Sequence, residues 1–267
     1  MKKILIIGAS GFIGNYCYLK FNDLIEYQTI GSFFSNKKEN LKPIDYTITK
    51  EFINKINKIE PDIIIWSAGL KNISMLESNK SLINKHNFTP ILNIVDYQKS
   101  SNKKINLIYI SSDYVFDGEK GEYNSNDKTC PNSIYGESKV VAEDYIKKNS
   151  PSYSILRVGA VIGVGSPFWD WLMEQLINDS TVELYDDIFS PTPVNTLFKS
   201  IEKCVKYNLE GTYHVSGGTC ISRYEFGKLI KLKLNTKAIL TKVSRNKTSK
   251  INRSLIRSKE FNNLELL

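Results

Sequence analysis

Tyr135 and Lys139 stand four residues apart in Tyr135-Gly136-Glu137-Ser138-Lys139, a spacing that sets two side chains one above the other on a helix face. The pair has a definite chemistry. A phenol with an ordinary pKa of about 10 is a poor proton donor or acceptor at neutral pH. An ammonium held one turn away favours the phenolate and draws the phenol toward a working range. Shortly before lies Ser111-Ser112-Asp113-Tyr114-Val115-Phe116-Asp117-Gly118, and a hydroxyl from Ser112 could hydrogen-bond the same substrate oxygen. Ser112, Tyr135 and Lys139 are therefore the candidate catalytic residues. A Tyr-x-x-x-Lys match alone is equally an exposed pair on a surface helix, so its meaning depends on its surroundings.

A second pattern concerns phosphate. Ile4 to Ile7 is a continuous apolar run, which suits a strand buried on both faces of a parallel sheet. It enters Gly8-Ala9-Ser10-Gly11-Phe12-Ile13-Gly14, a G-x-x-G-x-x-G turn leading into a helix. Glycines there let the backbone approach a pyrophosphate, whose charge rests on the helix N-terminus. Gly8, Ser10, Gly11, Phe12, Ile13 and Gly14 are the candidate cofactor-binding residues of this turn. After a second strand, Thr29 to Phe34, an NAD-selective site would offer a carboxylate to the ribose 2′-hydroxyl. Here the chain reads Ser35-Asn36-Lys37-Lys38. Hydroxyls and lysines suit a 2′-phosphate, so NADPH is the expected cofactor, with NADH the alternative, and Ser35 and Lys37 are assigned to it. Ser67-Ala68-Gly69 follows the strand Ile63 to Trp66 with side chains small enough for a flat cofactor to pass.

The elements that must position these groups alternate. Helices are expected at about 50–58, 81–99 and 135–148, and strands at 106–110 and 154–158. Repeated strand-helix alternation argues for a right-handed α/β sheet, and ligands bind at the C-terminal edge of such strands, where the serine pair falls. The expected fold is a Rossmann-type doubly wound parallel sheet with a small C-terminal substrate-binding lobe. Residues 1–162 form the NAD(P)-binding domain and 163–267 mainly the lobe. A helix at 194–207 is expected to return to the sheet. Beyond Ile162 come an aromatic-rich helix from Pro167, a strand at 212–215 and a helix N-capped by Ser222.

Composition excludes several classes. The 267 residues carry a net charge of +8, but lysines are spread along the chain without arginine-aromatic interleaving, which argues against nucleic acid. The densest basic stretch, Lys242 to Lys259, is either a solvated face or a positive wall for a phosphate-bearing ligand. No apolar run reaches the ~18 residues of a membrane span, and the apolar run after Met1 is too short for a signal peptide. Cys17, Cys130, Cys204 and Cys220 are widely spaced and read as free thiols. The expected location is cytoplasmic. His86 and His214 have no partner at ligand or triad spacing, and no metal motif is visible.

With these residues in place, the chain resembles the extended short-chain dehydrogenase/reductases, and among them the dTDP-4-dehydrorhamnose reductase (RmlD-like) family. The resemblance is carried by Gly8 to Gly14, by Ser111 to Gly118 and by Tyr135 to Lys139. Ser190-Pro191-Thr192, Gly211-Thr212-Tyr213-His214 and Ser222-Arg223-Tyr224-Glu225-Phe226 follow in order. It implies the trio Ser112, Tyr135 and Lys139, with Asp45 and Tyr46 near the adenine and Ala68 and Gly69 along the ribose-phosphate path. Asp113 and Tyr114 would face the sugar, and Phe168 and Arg253 are further candidate substrate contacts. The implied activity is NADPH-dependent reduction of the 4-keto group of a nucleotide-diphospho-6-deoxy-sugar in surface-polysaccharide synthesis. The implied partner is that sugar nucleotide, and a homodimer is allowed. An NAD-recycling epimerase or dehydratase and a non-catalytic regulatory subunit are the alternatives. Three departures bear on the sugar: Ala160 where the family has Trp, and Asp187 and Phe189 where it has Gln and Gly.

Overall fold

The computed structural model describes residues 1–262 except 72, 102, 179 and 245–250. In chain order the elements begin β1 (Lys2–Ile7), α1 (Phe12–Asn22), β2 (Tyr27–Phe33), β3 (Lys42–Pro43), α2 (Thr49–Ile59) and β4 (Ile63–Trp66). They continue through α3 (Ile73–Ser78), α4 (Lys80–Ile83), α5 (Thr89–Ser100), β5 (Asn106–Ser112), α6 (Ile134–Asn149) and β6 (Tyr153–Val158). Next come β7 (Val161–Ile162), α7 (Pro167–Ile177), β8 (Thr181–Tyr185), β9 (Ile188–Phe189), β10 (Thr192–Pro193) and α8 (Val194–Tyr207). The last are β11 (Gly211–Val215), β12 (Ile221–Ser222), α9 (Arg223–Leu234) and β13 (Ile239–Val243).

Seven strands form one parallel sheet in the order β11-β6-β5-β4-β1-β2-β3. The order reverses beside β1, so the crevice between the C-terminal ends of β1 and β4 is the natural ligand site. The apolar strands are buried on both faces because helices cover both. Ile4, Ile6, Ile63, Ile65, Ile108 and Ile110 face α1 and α8, whereas Leu5, Ile7, Ile64, Leu107 and Tyr109 face α2, α5 and α6. This is a Rossmann-like doubly wound fold.

Three local outcomes differ from the sequence expectation. The 81–99 helix is interrupted by a π-helical turn at Asn84–Phe88. Pro90, which lacks an N–H and would press on the carbonyl four residues back, sits at the start of α5, and the widened turn absorbs it. Strand β5 runs two residues further than expected, so Ser111 and Ser112 are its last residues. The strand expected at 212–215 is the sheet edge, paired with β6. Helix α8 packs on the sheet as expected, and Phe261 joins the same core, so the chain beyond 163 contributes to both parts of the molecule. The lobe is built from α7, α9 and the parallel pair β8–β13 around Leu172, Leu176, Leu184, Phe189 and Phe226.

Among the described residues no helix is long and apolar enough to cross a membrane, and no cluster of His, Cys, Asp or Glu could hold a metal. Cys17 and Cys204 are buried and Cys130 and Cys220 exposed, all as free thiols. Of the basic stretch, Arg245, Lys247 and Lys250 lie outside the described residues.

Candidate active site

The first turn shows why it needs its glycines. Gly8 has φ +88, and a Cβ there would lie 2.8 Å from the Ala68 nitrogen. A Cβ on Gly14 would lie 2.2 Å from the Gly8 carbonyl oxygen. Helix α1 therefore starts hard against the end of β1. Its N-cap, Gly11, has no capping side chain, which leaves the first-turn N–H groups open. Phe12, Ile13 and Gly14 line one wall of a cavity of about 320 Å³, with Ser67, Ala68 and Gly69 beside them. Open amides, a helix N-terminus and the small residues Gly11, Gly14, Ser67, Ala68 and Gly69 fit the diphosphate of a dinucleotide.

The same cavity is lined by Ser112, Tyr135 and Lys139. Ser112 ends β5, while Tyr135 and Lys139 lie in the first two turns of α6, which Ser133 caps by accepting the Gly136 N–H at 3.1 Å. The Lys139 Nζ donates to the Ile110 carbonyl at 3.0 Å and sits 5.8 Å from the centre of the Tyr135 ring. Burial lowers Lys139 to about 8, opposed by the Glu143 carboxylate one turn on. Tyr135 departs from expectation. Burial first, then the Asp113 carboxylate, push its pKa up, while its hydrogen bond with Ser112 pulls it down. Desolvation outweighs the ammonium, so the phenol stays protonated, the form a proton donor requires.

Helix α6 is pinned from behind. Glu143, fully buried, receives the Arg157 guanidinium through Nη2 at 2.7 Å and Nε at 3.0 Å, and also the Ser111 hydroxyl at 2.6 Å. One carboxylate thus ties α6 to both β5 and β6. Asn87, on the π turn, receives the Leu70 N–H at 2.8 Å and donates to the Leu70 carbonyl at 3.0 Å and the Ser138 hydroxyl at 3.3 Å. It fixes the loop after β4 against α6.

The other expected site residues lie off the cavity. Gly8 is consumed by its approach to Ala68, and Ser10 is not on the wall. Ser35 and Lys37 are exposed beyond β2. Their neighbour Lys38 reaches back to Asn15 of α1 at 3.2 Å. The Asp45 carboxylate accepts from the Thr47 N–H at 2.8 Å and its hydroxyl at 2.6 Å. Tyr46 is buried against Trp66, Phe34 and His86. Asp113 and Tyr114 flank the trio, and the Tyr114 ring meets Tyr135 edge-on at 5.7 Å.

Two expected substrate contacts are engaged within the protein. The Arg223 guanidinium lies 4.7 Å from the Phe168 ring and 4.6 Å from the Phe189 ring. Arg253 stacks 4.5 Å over Tyr114 and donates to the Phe116 carbonyl at 3.2 Å and Asn132 at 2.8 Å. Sequence reasoning missed Leu70, Lys71, Val158, Gly159, Ser166 and Pro167 on the cavity wall. Val158 and Gly159 stand at the end of β6, and Ser166 and Pro167 at the start of α7, the positions that could have pointed to them. His214, fully buried in β11, donates from Nδ1 to the Tyr123 carbonyl at 3.0 Å.

A family model, the RmlD substrate binding domain, matches residues 1–262. The chain belongs to that family. A dTDP-4-dehydrorhamnose reductase from Bacillus anthracis, solved in complex with NADP, superposes with a TM-score of 0.85 at 27% identity, covering 97% of this chain and 90% of that one. A probable low-salt glycan biosynthesis reductase, Agl14 of Haloferax volcanii, is 26% identical over 84% of this chain and 78% of its own length. The methionine adenosyltransferase 2 subunit beta of Mus musculus is 24% identical over 84% and 70%. The family therefore spans reductases and a subunit of another enzyme.

Proposed function

We propose that this member of the RmlD family reduces the 4-keto group of a nucleotide-diphospho-6-deoxy-sugar with NADPH, for surface-polysaccharide synthesis. One observation carries the reading: Ser112, Tyr135 and Lys139 come from two elements to line the same cavity as the glycine turn. The bound nicotinamide would supply hydride to the carbonyl carbon. Phe12, Ile13 and Gly14 would hold its diphosphate, and Lys139 the adjoining ribose. Tyr135 gives its phenolic proton to the substrate oxygen, and Ser112 orients that oxygen. Ser166 and Pro167, at the start of α7, line the same cavity and would face the sugar.

The test is an NADPH-oxidation screen across 4-keto-6-deoxy sugar nucleotides. Tyr135→Phe should reduce turnover by ~10²-fold or more, the usual worth of a positioned proton donor. Retention of most of the rate would refute the mechanism.

The mouse subunit supports a second reading, a non-catalytic role in a larger enzyme. It would be favoured if no keto-sugar is reduced and the full chain instead alters the kinetics of a co-purifying synthetase.

A further inference from the structure

Ser112 has one proton to give. A hydroxyl is a single donor with two acceptor lone pairs, and the structure gives partners to the donor and to one lone pair. The O–H points to Asp113 Oδ1 at 3.0 Å. One lone pair takes the Tyr114 N–H at 3.2 Å. In this arrangement Ser112 cannot also donate to a substrate carbonyl, although orienting that oxygen is its assigned task.

We propose that Asp113 is a positioning residue whose protonation reverses the Ser112 hydrogen bond, releasing the serine proton toward the substrate oxygen. The inference rests on the reductase reading given above. With Asp113 ionised, Ser112 donates to the carboxylate. With Asp113 protonated, the carboxyl O–H donates to Ser112 Oγ across the same 3.0 Å contact, and the serine O–H turns to the cavity. No atom need move beyond two hydroxyl rotations.

The surroundings of Asp113 suit a group that changes charge. It is buried, with Ser112 of β5 before it and Tyr114 after it. Tyr135 faces it from α6, Arg253 from the C-terminal segment and Arg223 from α9. Lys139, further along α6, is turned to the Ile110 carbonyl. Burial pushes the Asp113 carboxyl up to about 6, against the Ser112 hydrogen bond and the two guanidiniums. A substrate diphosphate near those guanidiniums would offset their charge and raise Asp113 further, so binding the sugar nucleotide would itself arm Ser112.

Two measurements on the full chain test this. First, the Asp113 carboxyl is titrated by carbon NMR of aspartate-labelled protein, its signal identified by loss in Asp113→Asn. If Ser112 donates to the carboxylate, Ser112→Ala removes a bond to the ionised form and raises the Asp113 pKa by about half a unit or more. An unchanged or lower value overturns the proposal, and this arm needs no turnover. Second, with a substrate from the screen, kcat for reduction should fall ~10-fold or more as pH rises through the Asp113 titration, the scale of one lost donor to the oxyanion. Asp113→Asn, whose amide donates at every pH, should lose that fall, whatever its overall rate. Persistence of the limb in the variant overturns the proposal. If nothing in the panel is reduced, the reductase reading fails while the titration still decides the direction of the Ser112 bond.

Discussion

At the scale of single residues, charge and donor count decide more than identity. Tyr135 and Lys139 are one turn apart, yet the lysine does not set the tyrosine's pKa, because both are drawn into apolar surroundings where each ionised form is disfavoured. Lys139 sits near 8, so it sheds its proton as pH rises through that value. Reduction should therefore fall on the alkaline side, with a midpoint near pH 8 in the pH profile of kcat/KM. That limb should survive in Asp113→Asn, since it belongs to another group. Sequence spacing exposed the pair. The protonation state followed from burial, which no spacing records.

At the scale of elements, the site depends on where helices begin. Ser133 caps α6 two residues before Tyr135. Ser133→Ala should cost about 1 kcal/mol in denaturant unfolding and lower turnover several-fold by loosening the first turn, with NADPH affinity little changed. Gly14 sits where α1 meets the end of β1. Gly14→Ala places a methyl against the Gly8 carbonyl, 2.2 Å from its ideal position. Overpacking of this kind costs about 1–3 kcal/mol, and α1 must back away from the diphosphate. NADPH affinity by fluorescence titration should drop at least ~10-fold by the same displacement. The glycine pattern was legible because only a missing Cβ permits such closeness. The π turn carrying Asn87 was not, since Pro90 marks a disturbance without saying how the helix absorbs it.

At the scale of the whole molecule, residues from distant parts of the chain close the structure behind the site. His214 of β11 is held neutral at about 4 by burial, then by the nearby Arg157 charge. Its folded value lies below the ordinary 6.5, so the unfolded chain binds the proton first. Its contribution to stability is full above pH 6.5 and is lost as pH falls toward 4, by up to about 3 kcal/mol. Urea unfolding at pH 7.5 and 4.5 should show that loss, and His214→Gln should remove part of it. The sequence alone determined the alternation of strands and helices, the glycine turn and the candidate trio, because periodicity, glycine placement and helical spacing are local properties. Only the tertiary structure decided that β11 and Phe261 complete the sheet layer, that Arg223 and Arg253 stack on aromatic rings, and that the single Ser112 proton points to Asp113. Those outcomes arise from packing between segments far apart in the chain, where burial and the competition for each hydrogen bond are settled together.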